Sequence, residues 1–181
     1  HHLTQRWLIS LFLIGGAVSL AQGGEEEKAW KATFENSDKC GFELKLGAEF
    51  PGAQGNFVID TDESHNGDSS AWLDGAFAQG GAYVALVKNF STPLAIKRVS
   101  FWLKAPGIEF IVFRIVDATG QTHQQRIKLQ DTATWQEIVI QEYQPKKTGA
   151  LHFGGANDGQ WHGSARGISI VLDKGGILDK T

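Results

Sequence analysis

Methionine is missing from all 181 residues, position 1 included, as expected of a chain recorded from inside a longer reading frame. Cysteine occurs once, at Cys40, so neither an internal disulfide nor a cysteine-built zinc cluster can form. The lone thiol reads as a small buried group, with a reactive or intermolecular thiol as the alternative. Neither sign of charge is in excess: 17 Lys and Arg against 20 Asp and Glu leave -3, which implies no nucleic-acid footprint and no polyanion-binding surface. Helical periodicity, heptads and internal repeats are absent too. What the chain does have is 22 Gly, 6 Trp and 11 Phe, the profile of an all-β sandwich or barrel.

Arg98 to Leu129 carries the clearest pattern. Val99, Phe101 and Leu103 share one parity, with Ser100, Trp102 and Lys104 on the other. Ile111, Phe113 and Ile115 repeat the period, and Ile127 and Leu129 continue it. Alternation at period two places such residues on opposite faces of a sheet. Pro106-Gly107 and Ala118-Thr119-Gly120 supply turn chemistry between the runs. The expectation is a meander of three consecutive antiparallel strands, Arg98–Ala105, Ile108–Asp117 and Thr122–Leu129, central to a sandwich of two antiparallel sheets.

At the front, Arg6 precedes an apolar run from Trp7 to Leu20 that closes on Ser19-Leu20-Ala21. A basic flank, an apolar core and small residues before the cut describe a secretory leader, cleaved after Ala21. The rival, a membrane anchor, is weakened by Gly15-Gly16 and by a run short of the roughly 20 apolar residues a span needs. The expected organisation is a leader over 1–21, an acidic linker over 22–29 and a β-sandwich over 30–181, in a secreted or periplasmic protein with no membrane contact after cleavage.

Along that domain the alternation predicts strands at Trp30–Glu35, Asn56–Asp60, Ser70–Phe77, Ala82–Phe90, Thr134–Gln141, Leu151–Phe153 and Arg166–Asp173. Cys40 to Ala53 reads as irregular chain pinned to the core by Phe42, Leu44, Leu46 and Phe50, and Pro93 as the crossover into the meander. Asn66-Gly67 is a strong turn signal within the polar loop Thr61–Ser69. The loop from Phe153 to Arg166 gathers an amide, a carboxylate, a tryptophan and a histidine, a mixture that packing alone seldom requires.

Phe34-Glu35 at a strand opening, Asp62 and Ser64-His65-Asn66-Gly67 to Ser69 before the next strand, and Val99-Ser100-Phe101-Trp102-Leu103-Lys104 together resemble the galactose-binding-like β-jelly rolls. Among these they are most similar to carbohydrate-binding modules at the front of secreted bacterial glycan-degrading enzymes, and the resemblance runs from about Trp30 onward. It implies a jelly-roll sandwich without catalytic residues, covalently linked to a downstream domain and binding polysaccharide or oligosaccharide. It also implies a structural calcium, matched here to Glu35, Asp62, His65, Asp68 and Ser69, the loop contributing backbone oxygens. Such modules close with a strand that carries a paired Asp beside the first strand. This chain reaches Thr181 before one, so the final strand is expected to be lacking, with an edge left unpaired.

Nothing in the residues argues for catalysis. No carboxylate pair is set out for glycoside hydrolysis, no nucleophile elbow is present, and His123, His152 and His162 lack zinc-ligand spacing. Sugar binding asks instead for flat aromatic surfaces and planar polar groups that can pair with vicinal hydroxyls. Alternation puts Trp102, Arg114, Gln124 and Arg126 on the face opposite the core, with Tyr83 on a neighbouring strand. The loop adds Asn157, Asp158, Trp161 and His162. Plain structural roles compete: Trp102 as a lid on the core, Arg114 paired with Asp117 or Glu109, Trp135 packing an edge, Trp30 and Trp72 inside. Trp161 is the strongest single candidate because no alternation assigns it to the core. Two functions follow, a non-catalytic module targeting an enzyme to a neutral polysaccharide, and a structural sandwich packed against a catalytic domain without binding sugar.

Overall fold

The computed structural model describes the backbone of residues 5–12 and residues 30–130, 132–141 and 151–178. The linker at 22–29 and the cleavage point after Ala21 lie outside these residues. Among the described residues all regular structure is β apart from two single 3-10 turns, Glu35–Ser37 and Lys174–Gly176. One sheet has five strands in the order β3 (Gln54–Asp60), β4 (Ser70–Ala76), β1 (Gln5–Phe12), β6 (Val99–Lys104), β9 (Gln136–Ile140). The other has six, in the order β10 (Leu151–Phe153), β8 (Thr122–Lys128), β7 (Phe110–Val116), β11 (Ala165–Asp173), β5 (Tyr83–Leu94), β2 (Phe42–Lys45). Every pairing between these strands is antiparallel.

The sheets pack as a sandwich around the side chains that alternation assigned inward. Leu73, Val84, Leu86, Val99, Phe101, Leu103, Phe113, Ile115, Ile168, Ile170 and Leu172 are all buried in one cluster. Burial of a ring such as Phe101 or Phe113 stabilises the fold by about 2–3 kcal/mol.

The meander is not one sheet. β6 pairs with β1 and β9, whereas β7 pairs with β8 and β11. The chain changes layer at Ala105-Pro106-Gly107, where Gly107 takes φ 80° and Ala105 N–H is bonded to Thr132 O at 3.1 Å. Alternation specifies the face on which a side chain sits but not the strand beside it. Trp102 and Arg114, which share the non-core parity, therefore point out from opposite sides of the molecule.

Further expectations are corrected. Trp30 to Glu35 is not a strand, because Phe34 turns left-handed at φ 61° and leads into the 3-10 turn. Part of the supposedly irregular stretch is β2, held against β5 by Phe42 opposite Lys88 and Leu44 opposite Leu86. Leu46 and Phe50 do not pin it; they are 39% and 54% exposed. β5 continues through Pro93 to Leu94. Trp72 pairs across from the exposed Val58 and lies on the outer face of the five-stranded sheet, half-buried rather than in the core.

β1 comes from the stretch that reads as a leader. It fills a gap of one strand, pairing Ile9 with Ala71 of β4 on one side and with Leu103 of β6 on the other. Where a closing strand was expected to be lacking, the five-stranded sheet is continuous through Gln5–Phe12.

Candidate functional site

Four of the expected ligand residues meet on the outer face of the six-stranded sheet. Register puts Gln124, Arg114, Ser169 and Val87 in one row across β8, β7, β11 and β5. The next row holds Arg126, Val112, Val171 and Ala85. Val112, Val171 and Ala85 are buried although they face away from the main core, in a small cluster with Phe110, Tyr83 and Val87. Larger side chains therefore roof them, and those side chains form the platform.

Arg114 sits at its centre. Its guanidinium lies 4.6 Å from the centroid of the Tyr83 ring and 5.7 Å from that of Phe153, and its Nε donates to Gln124 Oε1 at 2.7 Å. Arg126 lies over Phe110 at 4.0 Å. A planar cation against a ring face is attracted by the ring quadrupole, and the contact also holds the guanidinium in one orientation. Tyr83 is gripped from the other side: a Cβ on Gly47 would come within 3.1 Å of its ring, and its hydroxyl donates to Glu49 Oε1. Gly47 has φ 62°, so this close approach needs glycine twice over. Burial and the bond to Glu49 push the Tyr83 phenol up, opposed by Arg114, while the Tyr83 bond holds the Glu49 carboxyl down. Among the described residues no ion pair joins Arg114 to Asp117 or Glu109, the competing role weighed for it.

The loop residues assemble elsewhere. Asp117 is fully buried and accepts five hydrogen bonds: at Oδ1 from Thr119 N–H (2.9 Å), Thr119 Oγ1 (2.7 Å) and Gln121 N–H (3.1 Å), and at Oδ2 from Gln121 Nε2 (3.2 Å) and His123 Nε2 (3.1 Å). Burial alone would raise its pKa, but the Thr119, His123 and Gln121 donors outweigh that and hold the carboxyl well below the usual carboxylate range. Gln121 carries the network into the loop, donating to Gln160 O at 2.8 Å and accepting from Gly159 N–H at 2.8 Å. Asp158 accepts from Gln160 N–H at 2.9 Å and from His162 at 2.9 Å; chiefly the Gln160 bond, then His162, lowers its pKa to about 2. Asn157 bonds His152 at 3.0 Å. Trp161 packs against the core, 5.4 Å from His123. Asp158 and His162 thus tie the loop to the β7–β8 turn, Trp161 to β8 and Asn157 to β10, rather than lining the platform.

Trp102, on the opposite side, is covered by His65, whose ring stacks on it at 3.6 Å and 10°, with Trp135 edge-on to His65 at 5.9 Å. His65 is therefore engaged by aromatic rings.

Of the residues matched to calcium, Glu35 reaches the loop. The left-handed turn through Phe34, Asn36 and Ser37 aims it there, and Oε1 accepts from Asp68 N–H at 3.1 Å and Ser69 N–H at 3.3 Å. Gly67 lies so close that a Cβ would fall 2.3 Å from the same oxygen. Calcium asks for six to eight oxygens, yet here the carboxylate faces amide donors, and no three acidic, His or Cys side chains converge among the described residues. This arrangement does not fit a calcium cage. The expected result is a melting temperature indifferent to chelator, while Glu35→Gln lowers stability by about 1 kcal/mol in urea titrations. A chelator-sensitive melting temperature would restore calcium.

Sequence reasoning missed Phe153, Phe110, Gly47 and Glu49. Phe153 was legible, since its strand partner Thr122 shares the parity of Gln124. The Gly47–Tyr83 contact had no signal, because it joins residues distant along the chain. No family model, curated protein or solved structure matches this chain.

Proposed function

We propose that the domain is a non-catalytic glycan-binding module, and that the platform of Tyr83, Arg114, Gln124, Arg126 and Phe153 is its binding face. The single observation that carries this is the guanidinium of Arg114 between two rings, above a buried apolar floor. Phe153 is 45% exposed and offers a flat surface to a pyranose ring, while Gln124 and the two arginines offer planar donors to hydroxyls. Building such a face costs the solvation of its polar groups, which a packing role would not require. In this reading the module is exported and holds a larger glycan-active enzyme on its polymer.

The second reading, a structural sandwich that binds no sugar, is favoured by two covered tryptophans. Trp102 lies under His65 and Trp161 packs on the core, so neither presents an open face. Affinity electrophoresis through soluble plant and algal polysaccharides separates the two. Retardation of the wild type by at least one glycan is expected, together with its loss in Arg114→Ala and its persistence in Trp161→Ala. The loss should reach about tenfold or more, since removing Arg114 also frees Tyr83 and Gln124 to move. No retardation by any glycan would leave the structural role.

A further inference from the structure

We infer that the platform recognises an acidic glycan, one carrying a carboxylate on its sugar rings, rather than a neutral chain; this rests on the glycan-binding reading above. The net charge of -3 argues against a polyanion partner only as an average over the molecule. Locally Arg114, Arg126 and Lys128 gather on β7 and β8, while the nearest carboxylates stand to the other side, Glu49 beyond the Tyr83 ring and Asp173 at the end of β11. Arg114 pairs across from Gln124 and Arg126 from Val112, which makes the two arginines diagonal neighbours on β7 and β8, with backbones about 7–8 Å apart. Among the described residues neither guanidinium has a carboxylate within ion-pair distance, although other surface cations do, as Lys45 with Glu43, Arg98 with Glu137 and Lys104 with Glu63. Lys128, exposed, lies one row further along the same face of β8.

Two adjacent like charges repel, the more so for the half-buried Arg114 above Val112, Val171 and Ala85. The arrangement is relieved by a ligand anion. Both guanidiniums lie over ring faces, which restrains them; Nε of Arg114 is taken by Gln124, leaving its terminal nitrogens, and the planar guanidinium fork suits a planar carboxylate taken through two parallel bonds. Phe153 beside Arg114 then meets the apolar face of the ring that bears that carboxylate. A hexuronate unit combines a flat face, vicinal hydroxyls and a carboxylate in one residue of a polymer. A sulfate ester shares the negative charge but is tetrahedral and fits the planar fork less well.

The test uses the full chain in affinity electrophoresis and calorimetry with polygalacturonate, alginate, a sulfated galactan and a neutral galactan. Expected is binding to a polyuronate about tenfold or more tighter than to the neutral chain, weakened as NaCl rises from about 50 to about 500 mM. Arg126→Gln, an exposed and therefore well-tolerated change, should lower polyuronate affinity about tenfold, with Arg126→Lys recovering only part of it. If neutral and acidic chains bind alike and Arg126→Gln alters neither, glycan binding stands and the acidic class is overturned. Tighter binding to the sulfated galactan overturns the carboxylate assignment. Failure of every glycan instead removes the binding reading itself.

Discussion

Asp117→Asn is expected to lower the unfolding free energy by about 3 kcal/mol, because it breaks a buried carboxylate network from its centre. Both Asp117 oxygens only accept, from Thr119, Gln121 and His123. An asparagine would turn a donor toward a ring of donors at a fully buried position. The loss should appear as a lower urea midpoint at neutral pH with an unchanged slope. It should also change the pH dependence in a definite sense. The folded-state pKa of Asp117 is depressed, so its contribution is fully present above the ordinary carboxylate value near 4 and is lost as pH falls toward the folded value. Asp158, lowered to about 2, adds to the same acid limb. The variant should therefore show a shallower decline of stability between about pH 4 and pH 2. An Asp117→Asn protein with wild-type stability and the same acid limb would mean that the network holds nothing in place. Glycan retardation should survive in the variant wherever it remains folded, since the network lies at the loop and not on the platform.

The second large effect is expected at the front of the chain. Ile9 lies in a strand paired on both sides, opposite Ala71 and Leu103. Proline there removes an N–H and places a ring in the middle of a central strand, a position proline does not occupy in sheets. β4 and β6 have only β1 between them, so its loss leaves two open edges beside Ala71, Leu73, Phe101 and Leu103, each at most 2% exposed in the intact sheet. Re-exposing about 200 Å² of apolar surface costs about 5 kcal/mol, a large part of the stability of any domain. Ile9→Pro is thus expected to shift the urea midpoint strongly downward, and a midpoint equal to wild type would show that the sheet does not depend on β1. Cleavage after Ala21 would remove the same strand. N-terminal sequencing of exported protein should begin near Gln22 if the leader reading holds, and that processed form should then unfold at lower urea than the full chain.

How much of this was legible beforehand depends on the range of the interaction involved. Inward and outward residues along β6, β7, β8 and β11 followed from alternation, because period two belongs to the strand itself and needs no partner. Gly67 and Gly107, both at positive φ, likewise sit where Asn66-Gly67 and Pro106-Gly107 marked turns, a local property of those residues. The all-β sandwich and the shared parity of Arg114, Gln124 and Arg126 came from the same signal. Strand neighbours did not. That β6 leaves β7 for β1 and β9 is a choice among edges distant in sequence, decided by which pairings bury Phe101 and Phe113 between two layers at once. For the same reason Trp102 lies across the molecule from Arg114, and Trp161 lies against His123. The platform, too, was completed only in three dimensions: Gly47, Tyr83, Arg114 and Phe153 come from four separate segments, and only the sheet order β10-β8-β7-β11-β5-β2, with the loop that follows β2, brings them onto one face.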